Sequence, residues 1–157
     1  EIHSVLDSTA VLDVKSGSLD NGANIQLYEA NGTEAQVWKI TNLNDGYVSI
    51  INEKSGKALD VTSAKTVNGT NIQQYTSNST KAQKWILIST GNGIKIVSAL
   101  NSSFVLDLNA AKTVNGTKIQ LYQSNNTNAQ RWNFVPYLPR NEKLDLMANE
   151  NRDTLTE

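Results

Sequence analysis

The sequence predicts an all-β fold made of three copies of one repeat. The motif Ala-Gln-x-Trp occurs at 35–38, 82–85 and 129–132, so its tryptophans lie 47 residues apart both times (85 − 38 and 132 − 85). A constant step of this length is typical of a repeat architecture. Four further series keep the same step: Asp13, Asp60 and Asp107; Gly22, Gly69 and Gly116; Gln26, Gln73 and Gln120; Tyr28, Tyr75 and Tyr122.

Each repeat is divided into short runs with the period of strands. Ile25-Gln26-Leu27-Tyr28 and Ile94-Lys95-Ile96-Val97 alternate apolar and polar residues, and no helical stripe occurs in the first 135 positions. The breaks carry Asn-Gly or Asp-Gly at 21–22, 45–46, 68–69, 92–93 and 115–116. These pairs favour hairpin turns because both residues tolerate a positive φ. We therefore expect about four strands per repeat and about twelve in all.

The arrangement of the repeats follows from the need to protect strand edges. Three units around a pseudo-threefold axis close into a barrel, whereas an open stack would leave its ends exposed. The sequence therefore predicts a β-trefoil over residues 1–135, with repeats at about 1–46, 47–93 and 94–135. Residues 136–157 are predicted to be a C-terminal tail or linker, because Pro136 and Pro139 remove two backbone donors. A short helix is expected over 144–152.

The composition argues against several classes of function. A net charge of −1 gives no electrostatic footprint for nucleic acid, and no apolar run is long enough for membrane insertion. Without cysteine, and with His3 as the single histidine, the chain has no catalytic triad and no thiolate or His-ligated metal site. The repeat supplies one aspartate, not the pair that glycoside hydrolysis needs. We expect no enzyme activity, no cofactor and no metal.

The motifs resemble those of a known family. Leu-Asp, Ile-Gln-x-Tyr and Gln-x-Trp, in three copies at constant spacing, are similar to the ricin B-like lectins, which are ricin-type β-trefoil carbohydrate-binding modules. The resemblance covers roughly residues 1–135 and implies up to three shallow sugar sites, one per repeat. Many members place an asparagine before the glutamine of Gln-x-Trp, where this chain has Ala35, Ala82 and Ala129. Galactose-type, mannose-type and xylan-type sugars all occur as ligands of similar modules.

Sugar chemistry and the resemblance together select the residues of these sites. A pyranose presents hydroxyls at its edge and C–H groups on its face, so a site needs a charged acceptor, an amide and an aromatic wall. The alternative roles are a turn residue for each aspartate, half-buried strand packing for each tyrosine and a bond within the fold for each glutamine. The expected carbohydrate-binding residues are Asp13, Gln26, Tyr28 and Asn31; Asp60, Gln73, Tyr75 and Asn78; Asp107, Gln120, Tyr122 and Asn125.

Other repeated residues are assigned to the fold. Trp38, Trp85 and Trp132 have apolar neighbours and are predicted to be core residues. Interior positions are expected for Leu12, Leu59 and Leu106, and internal hydrogen bonds for Gln36, Gln83 and Gln130. Lys65 and Lys112, where repeat one has Ser18, are candidate ligand contacts in repeats two and three.

The leading functional hypothesis is a non-catalytic glycan-binding module. We expect it to target a larger secreted or cell-surface protein, such as a hydrolase or a toxin, whose other domains would be covalently linked to it. The alternative is a protein-binding β-trefoil that mediates complex assembly without sugar recognition, which the alanines before each Gln-x-Trp favour. A protease inhibitor on the same fold is less well supported, because no exposed rigid loop stands out.

Overall fold

The computed structural model describes residues 1–138 and Met147, and in this part of the chain each repeat contributes four strands. Repeat one contains β1 (Ile2–Ser4), β2 (Ala10–Val14), β3 (Ile25–Glu29) and β4 (Trp38–Asn42). Repeat two contains β5 (Val48–Asn52), β6 (Ala58–Val61), β7 (Thr70–Tyr75) and β8 (Trp85–Ser89). Repeat three contains β9 (Ile94–Ser98), β10 (Phe104–Leu108), β11 (Ile119–Gln123) and β12 (Trp132–Phe134). The all-β prediction and the strand count are confirmed; the helix expected over 144–152 lies outside the described residues, Met147 excepted.

Six of these strands build a barrel, and the other six form three hairpins. The barrel strands pair antiparallel in the order β1, β12, β9, β8, β5 and β4. Hairpins β2–β3, β6–β7 and β10–β11 meet one another at the pseudo-threefold axis through β7–β11 pairing and two single bridges. Within residues 1–138 no pairing joins β1 to β4. An apolar groove of about 530 Å³ lies at that seam, between Ile2, Trp38 and Phe134.

The core is built from equivalent residues of the three repeats. Trp85 and Trp132 are fully buried and Trp38 is 7% exposed, which confirms their prediction as core residues. The leucines before the three aspartates are also fully buried, as expected: Leu12, Leu59 and Leu106. Burial of so many apolar side chains supplies the main driving force for folding, at roughly 25 cal/mol per Å² of apolar area.

The three Asn-Gly pairs in the long loops join the repeats to one another. Asn21 accepts a hydrogen bond from the Thr76 backbone N–H at 2.9 Å, and Gly22 N–H donates to the Gln74 carbonyl at 2.8 Å. Asn68 and Asn115 make the same contact, with Gln123 N–H and Glu29 N–H respectively. The contacts thus run from repeat one to two, two to three and three to one. The pairs lie in breaks between strands, as predicted, but each clamps the next repeat and does not close a two-residue hairpin.

The loop after each aspartate turns through left-handed backbone conformations. It contains Ser16-Gly17 in repeat one, Ser63-Ala64 in repeat two and Ala110-Ala111 in repeat three, all with φ between 53° and 59°. A side chain in this region costs roughly 1–2 kcal/mol per residue, whereas glycine adopts it freely. Repeats two and three therefore carry strain that Gly17 avoids.

We predict that Ala111→Gly raises the free energy of unfolding by about 0.5–1 kcal/mol. The relief of strain, roughly 1–2 kcal/mol, exceeds the extra chain entropy of glycine, roughly 0.5–1 kcal/mol. Chemical denaturation measures the change. The reverse substitution, Gly17→Ala, should destabilise by at least a similar amount, because its Cβ would also lie 2.6 Å from Lys54 Nζ. Ala30→Gly, at an exposed position without a positive φ, is the control and should destabilise slightly. A loss of stability in Ala111→Gly equal to that in the control would contradict the assignment of strain.

Candidate functional sites

Three surface depressions, one per repeat, bring together the residues that the sequence selected. Site one, two and three have volumes of about 500, 480 and 350 Å³. Each is lined by the aspartate, the glutamine, the tyrosine and the asparagine of its own repeat: Asp13, Gln26, Tyr28 and Asn31; Asp60, Gln73, Tyr75 and Asn78; Asp107, Gln120, Tyr122 and Asn125. The structure therefore assembles all twelve into three sets of four.

The aspartate forms the floor of each site and is held by two glutamine amides. In site one, Gln26 Nε2 donates to Asp13 Oδ1 at 3.0 Å and Gln36 Nε2 donates to Asp13 Oδ2 at 2.9 Å. The other two sites repeat both bonds at 2.9 Å. These carboxylates accept hydrogen bonds from side-chain amides. The alternative role, in which each aspartate is a turn residue that accepts a backbone N–H, is therefore not what the structure shows.

The carboxylates are deeply placed but remain part of the depression surface. Asp13, Asp60 and Asp107 are 5–6% exposed. A carboxylate can accept about four hydrogen bonds, and the two glutamine amides use two of these positions. Each carboxylate therefore keeps capacity for further hydrogen bonds, and each lines its depression.

Burial also changes the acidity of two of these groups. It raises the pKa of the Asp13 and Asp107 carboxyls above the ordinary value of 3.8, and the two glutamine hydrogen bonds offset only part of this effect. Desolvation disfavours the charged form, whereas donors to a carboxylate favour it. Both groups therefore take up a proton at a higher pH than an exposed aspartate does.

The glutamine of Gln-x-Trp makes hydrogen bonds within the fold, as predicted, and these bonds support the site. Gln36 is fully buried; its Nε2 also donates to the Glu29 carbonyl at 2.9 Å, and its Oε1 accepts from Asn31 N–H at 2.9 Å. Gln83 and Gln130 make the equivalent bonds. One side chain thus fixes both the aspartate and the loop that carries the asparagine.

The tryptophan of the same motif supports the strand that carries the aspartate. Trp38 Nε1 donates to the Leu12 carbonyl at 3.2 Å, directly before Asp13. Trp85 and Trp132 donate to Leu59 and Leu106 in the same way, at 3.2 and 3.4 Å. Gln-x-Trp therefore holds the aspartate through its side chain and through its backbone.

The upper wall of each site is aromatic and polar. Tyr28 and Tyr75 are 38% and 41% exposed, and Tyr122 is half-buried. Asn31 Oδ1 accepts hydrogen bonds from the Thr33 backbone N–H at 3.0 Å and the Thr33 hydroxyl at 2.7 Å. Its Nδ2 makes no hydrogen bond within the described residues and lies at the depression. Asn78 and Asn125 have the same arrangement with Thr80 and Thr127.

The lysines around the sites differ from the sequence expectation. Lys65 and Lys112 do not line sites two and three, so their selection as ligand contacts was wrong. Lys15 and Lys54 line site one instead, and Lys81 lines site two. Lys54 belongs to repeat two, and nothing in one repeat's sequence indicates that its side chain reaches the site of the preceding repeat. Lys15, two residues after Asp13, was close enough in sequence to be found.

The described part of the chain has neither a metal-binding cluster nor a membrane-spanning helix. Residues 1–138 contain no group of three or more His, Cys, Asp or Glu side chains that could hold a metal ion. Nor do these residues include a helix that is both long and apolar enough to cross a membrane.

The chain matches a known family along most of its length. The family described as ricin-type beta-trefoil lectin domain-like matches residues 1–75, 36–122 and 81–147, which are three overlapping stretches. No curated protein matches the sequence.

Several solved structures have the same fold. The designed threefold symmetric protein ThreeFoil is 33% identical with a TM-score of 0.83, covering 87% of this chain and 96% of its own. The exo-β-1,3-galactanase 1,3Gal43A from Clostridium thermocellum is 33% identical with a TM-score of 0.82; the match covers 87% of this chain and 30% of the galactanase. The agglutinin of Rhizoctonia solani is 28% identical with a TM-score of 0.79, covering 87% and 92%.

We predict that Gln36→Glu destabilises the chain by at least about 2 kcal/mol at neutral pH. The substitution removes two amide hydrogen bonds and places a second carboxylate against Asp13. A carboxyl pair of this kind holds a proton in the folded state at raised pKa, so the loss relative to wild type should shrink as the pH falls through that value. Denaturant unfolding at several pH values measures it. Gln123→Glu is the matched exposed control and should change stability by less than about 0.5 kcal/mol at every pH. If Gln36→Glu loses the same stability at every pH, the introduced carboxylate is not in contact with Asp13.

Proposed function

Because this chain belongs to the ricin-type β-trefoil lectin family, we propose that sites one, two and three each bind a carbohydrate. The observation that carries this proposal is that each of the three shallow depressions contains a carboxylate, a phenol ring that is at least partly exposed, and an asparagine whose Nδ2 donates to no residue in the described part of the chain. The carboxylate would accept hydrogen bonds from two sugar hydroxyls, and the ring would cover the C–H face of the pyranose. The asparagine Nδ2 would donate to a further hydroxyl.

The arrangement supports a non-catalytic role for the domain. Each site has one carboxylate, whereas glycoside hydrolysis requires two flanking the scissile bond. The match to 30% of the Clostridium thermocellum galactanase supports the role of a module attached to a larger protein. We propose a targeting domain over 1–135, joined by a linker over 136–157 to a secreted or surface protein such as a hydrolase or a toxin.

The same relative suggests which sugar to test first. It is named as an enzyme that acts on β-1,3-galactan, and it is 33% identical to this chain over the matched region. We propose a galactose-type ligand, with mannose-type and xylan-type sugars as the next candidates. One shallow site would bind with a Kd around millimolar, about −4 kcal/mol. Three sites on one rigid body can raise the avidity for a polymeric surface by about 10²–10⁴-fold.

We predict that the triple variant Tyr28→Ala, Tyr75→Ala and Tyr122→Ala loses sugar binding and keeps its fold. These rings are partly exposed and make no side-chain hydrogen bond within residues 1–138. A glycan array followed by titration with galactan measures binding, and circular dichroism measures folding. Tyr47→Ala, at a tyrosine that lines none of the three sites, is the matched control and should bind normally.

The triple aspartate variant tests the acceptor. Asp13→Ala, Asp60→Ala and Asp107→Ala should also abolish binding, but this variant removes a carboxylate acceptor from six glutamine amides and must be checked for folding. If a folded tyrosine or aspartate variant binds sugar as well as wild type, the three proposed sites are wrong. If the folded wild-type protein binds no sugar on the array, the lectin proposal fails. The protein-binding alternative would then be the hypothesis to pursue.

We predict that sugar binding at sites one and three weakens on acidification, beginning at a higher pH than an exposed aspartate would give. Protonation removes an acceptor, and burial raises the pKa of Asp13 and Asp107 above 3.8. Binding should be complete above the raised pKa and be lost as the pH falls through it. Titrations over a range of acidic pH, with folding monitored in parallel, measure this. Binding that stays constant until the protein unfolds would show that the carboxylates are not the acceptors.

A further inference from the structure

The three sites share their floor and walls but carry different charges at their rims. Site one is lined by one carboxylate and two lysines, Lys15 and Lys54. Site two is lined by one carboxylate and Lys81, and site three by one carboxylate and no lysine or arginine. The charge of the lining groups is therefore +1, 0 and −1 in repeat order.

The lysines of site one are available to a ligand. Lys54 Nζ donates to the Gly17 carbonyl at 2.8 Å, a bond that fixes the ammonium group at the rim and leaves it further donors. Lys15 has no hydrogen bond or ion pair to its side chain within the described residues. The neighbouring acidic residues Glu34 and Glu53 line the apolar groove at the barrel seam and do not line site one.

The position of Lys54 depends on the glycine beneath it. A Cβ at Gly17 would lie 2.6 Å from Lys54 Nζ, closer than two such atoms can approach. Repeats two and three have Ala64 and Ala111 where repeat one has Gly17, and repeat three has Asn101 where repeat two has Lys54. Of the three sites, only site one therefore combines a glycine at this loop position with a lysine from the next repeat.

We propose that site one prefers an acidic sugar, one with a carboxylate or a sulfate group, while site three takes a neutral sugar. This inference rests on the proposed function, since it concerns the ligand of the same sites. Two ammonium groups at the rim attract an anionic substituent and outweigh the repulsion from the single carboxylate of Asp13 at the floor. In site three the anion would meet Asp107 without any compensating cation.

The test compares matched neutral and acidic sugars at each site separately. Full-length ¹⁵N-labelled protein is titrated with methyl galactoside and methyl galacturonoside, and with the glucose and mannose pairs. The backbone amides of Thr33, Thr80 and Thr127 report on sites one, two and three, because each donates to the asparagine of its site. For the acidic member of a pair, the Kd from Thr33 should be about tenfold lower than that from Thr127. The difference should shrink with added salt.

Two variants of site one test the role of its lysines independently. Lys15→Thr with Lys54→Asn installs the residues of the next repeat and should abolish the acidic preference, measured at Thr33 as the ratio of the acidic Kd to the neutral Kd. Gly17→Ala keeps both lysines, displaces Lys54 Nζ and should reduce the preference severalfold. Lys95→Asn, a lysine on β9 that lines none of the three sites, is the charge control and should leave the preference unchanged.

The outcomes distinguish the two proposals. If neutral sugars bind but the acidic member shows no advantage at Thr33 over Thr127, the acidic preference is overturned and the lectin proposal stands. A preference that survives the double lysine substitution also overturns it. If no sugar of either kind shifts any of the three amides, both proposals fall together.

Discussion

The interaction on which the rest of the structure depends is the buried aspartate held between two glutamine amides in each repeat. Asp13 bonds Gln26 across the β2–β3 hairpin and Gln36 across the following loop, so one carboxylate ties together three segments of the repeat. A buried charge is costly unless it is hydrogen-bonded, and here each oxygen receives a donor of its own. Gln36 then bonds the Asn31 N–H, and Trp38 bonds the carbonyl before the aspartate. The residues that stabilise the repeat are thus the ones that shape its surface depression.

The threefold arrangement arises from contacts that run in one direction around the axis. Asn21, Asn68 and Asn115 each accept a hydrogen bond from a strand end of the next repeat, and the third closes on the first. Every repeat supplies one such asparagine and also donates to the asparagine of another repeat, so no repeat satisfies all of these hydrogen bonds alone. Stability and site geometry are therefore properties of the closed ring.

The sequence predicted the fold well because its strongest signals are local or strictly periodic. The step of Trp38, Trp85 and Trp132 establishes the repeats, and the motif around them identifies the core and the four residues grouped at each site. The contacts that join distant parts of the chain were not predictable. Gln26 and Gln36 are 13 and 23 residues from Asp13, and only the folded register brings both amides to one carboxylate. For the same reason the lysine reaching a site from the next repeat was missed, and Lys65 and Lys112 were selected wrongly.

Comparison of the three repeats separates the residues that stabilise a site from the residues that differ between sites. The aspartate, the two glutamines and the tryptophan are identical in all three copies, and each takes part in a buried or partly buried hydrogen bond whose loss would leave a partner unsatisfied. The rim position that is Lys15 in repeat one is Asn109 in repeat three, because a side chain that faces solvent can change without such a cost. A lectin built this way can alter the charge of one site while the network beneath it is unchanged. The sequence thus retains one binding scaffold in triplicate and varies the rim of each copy.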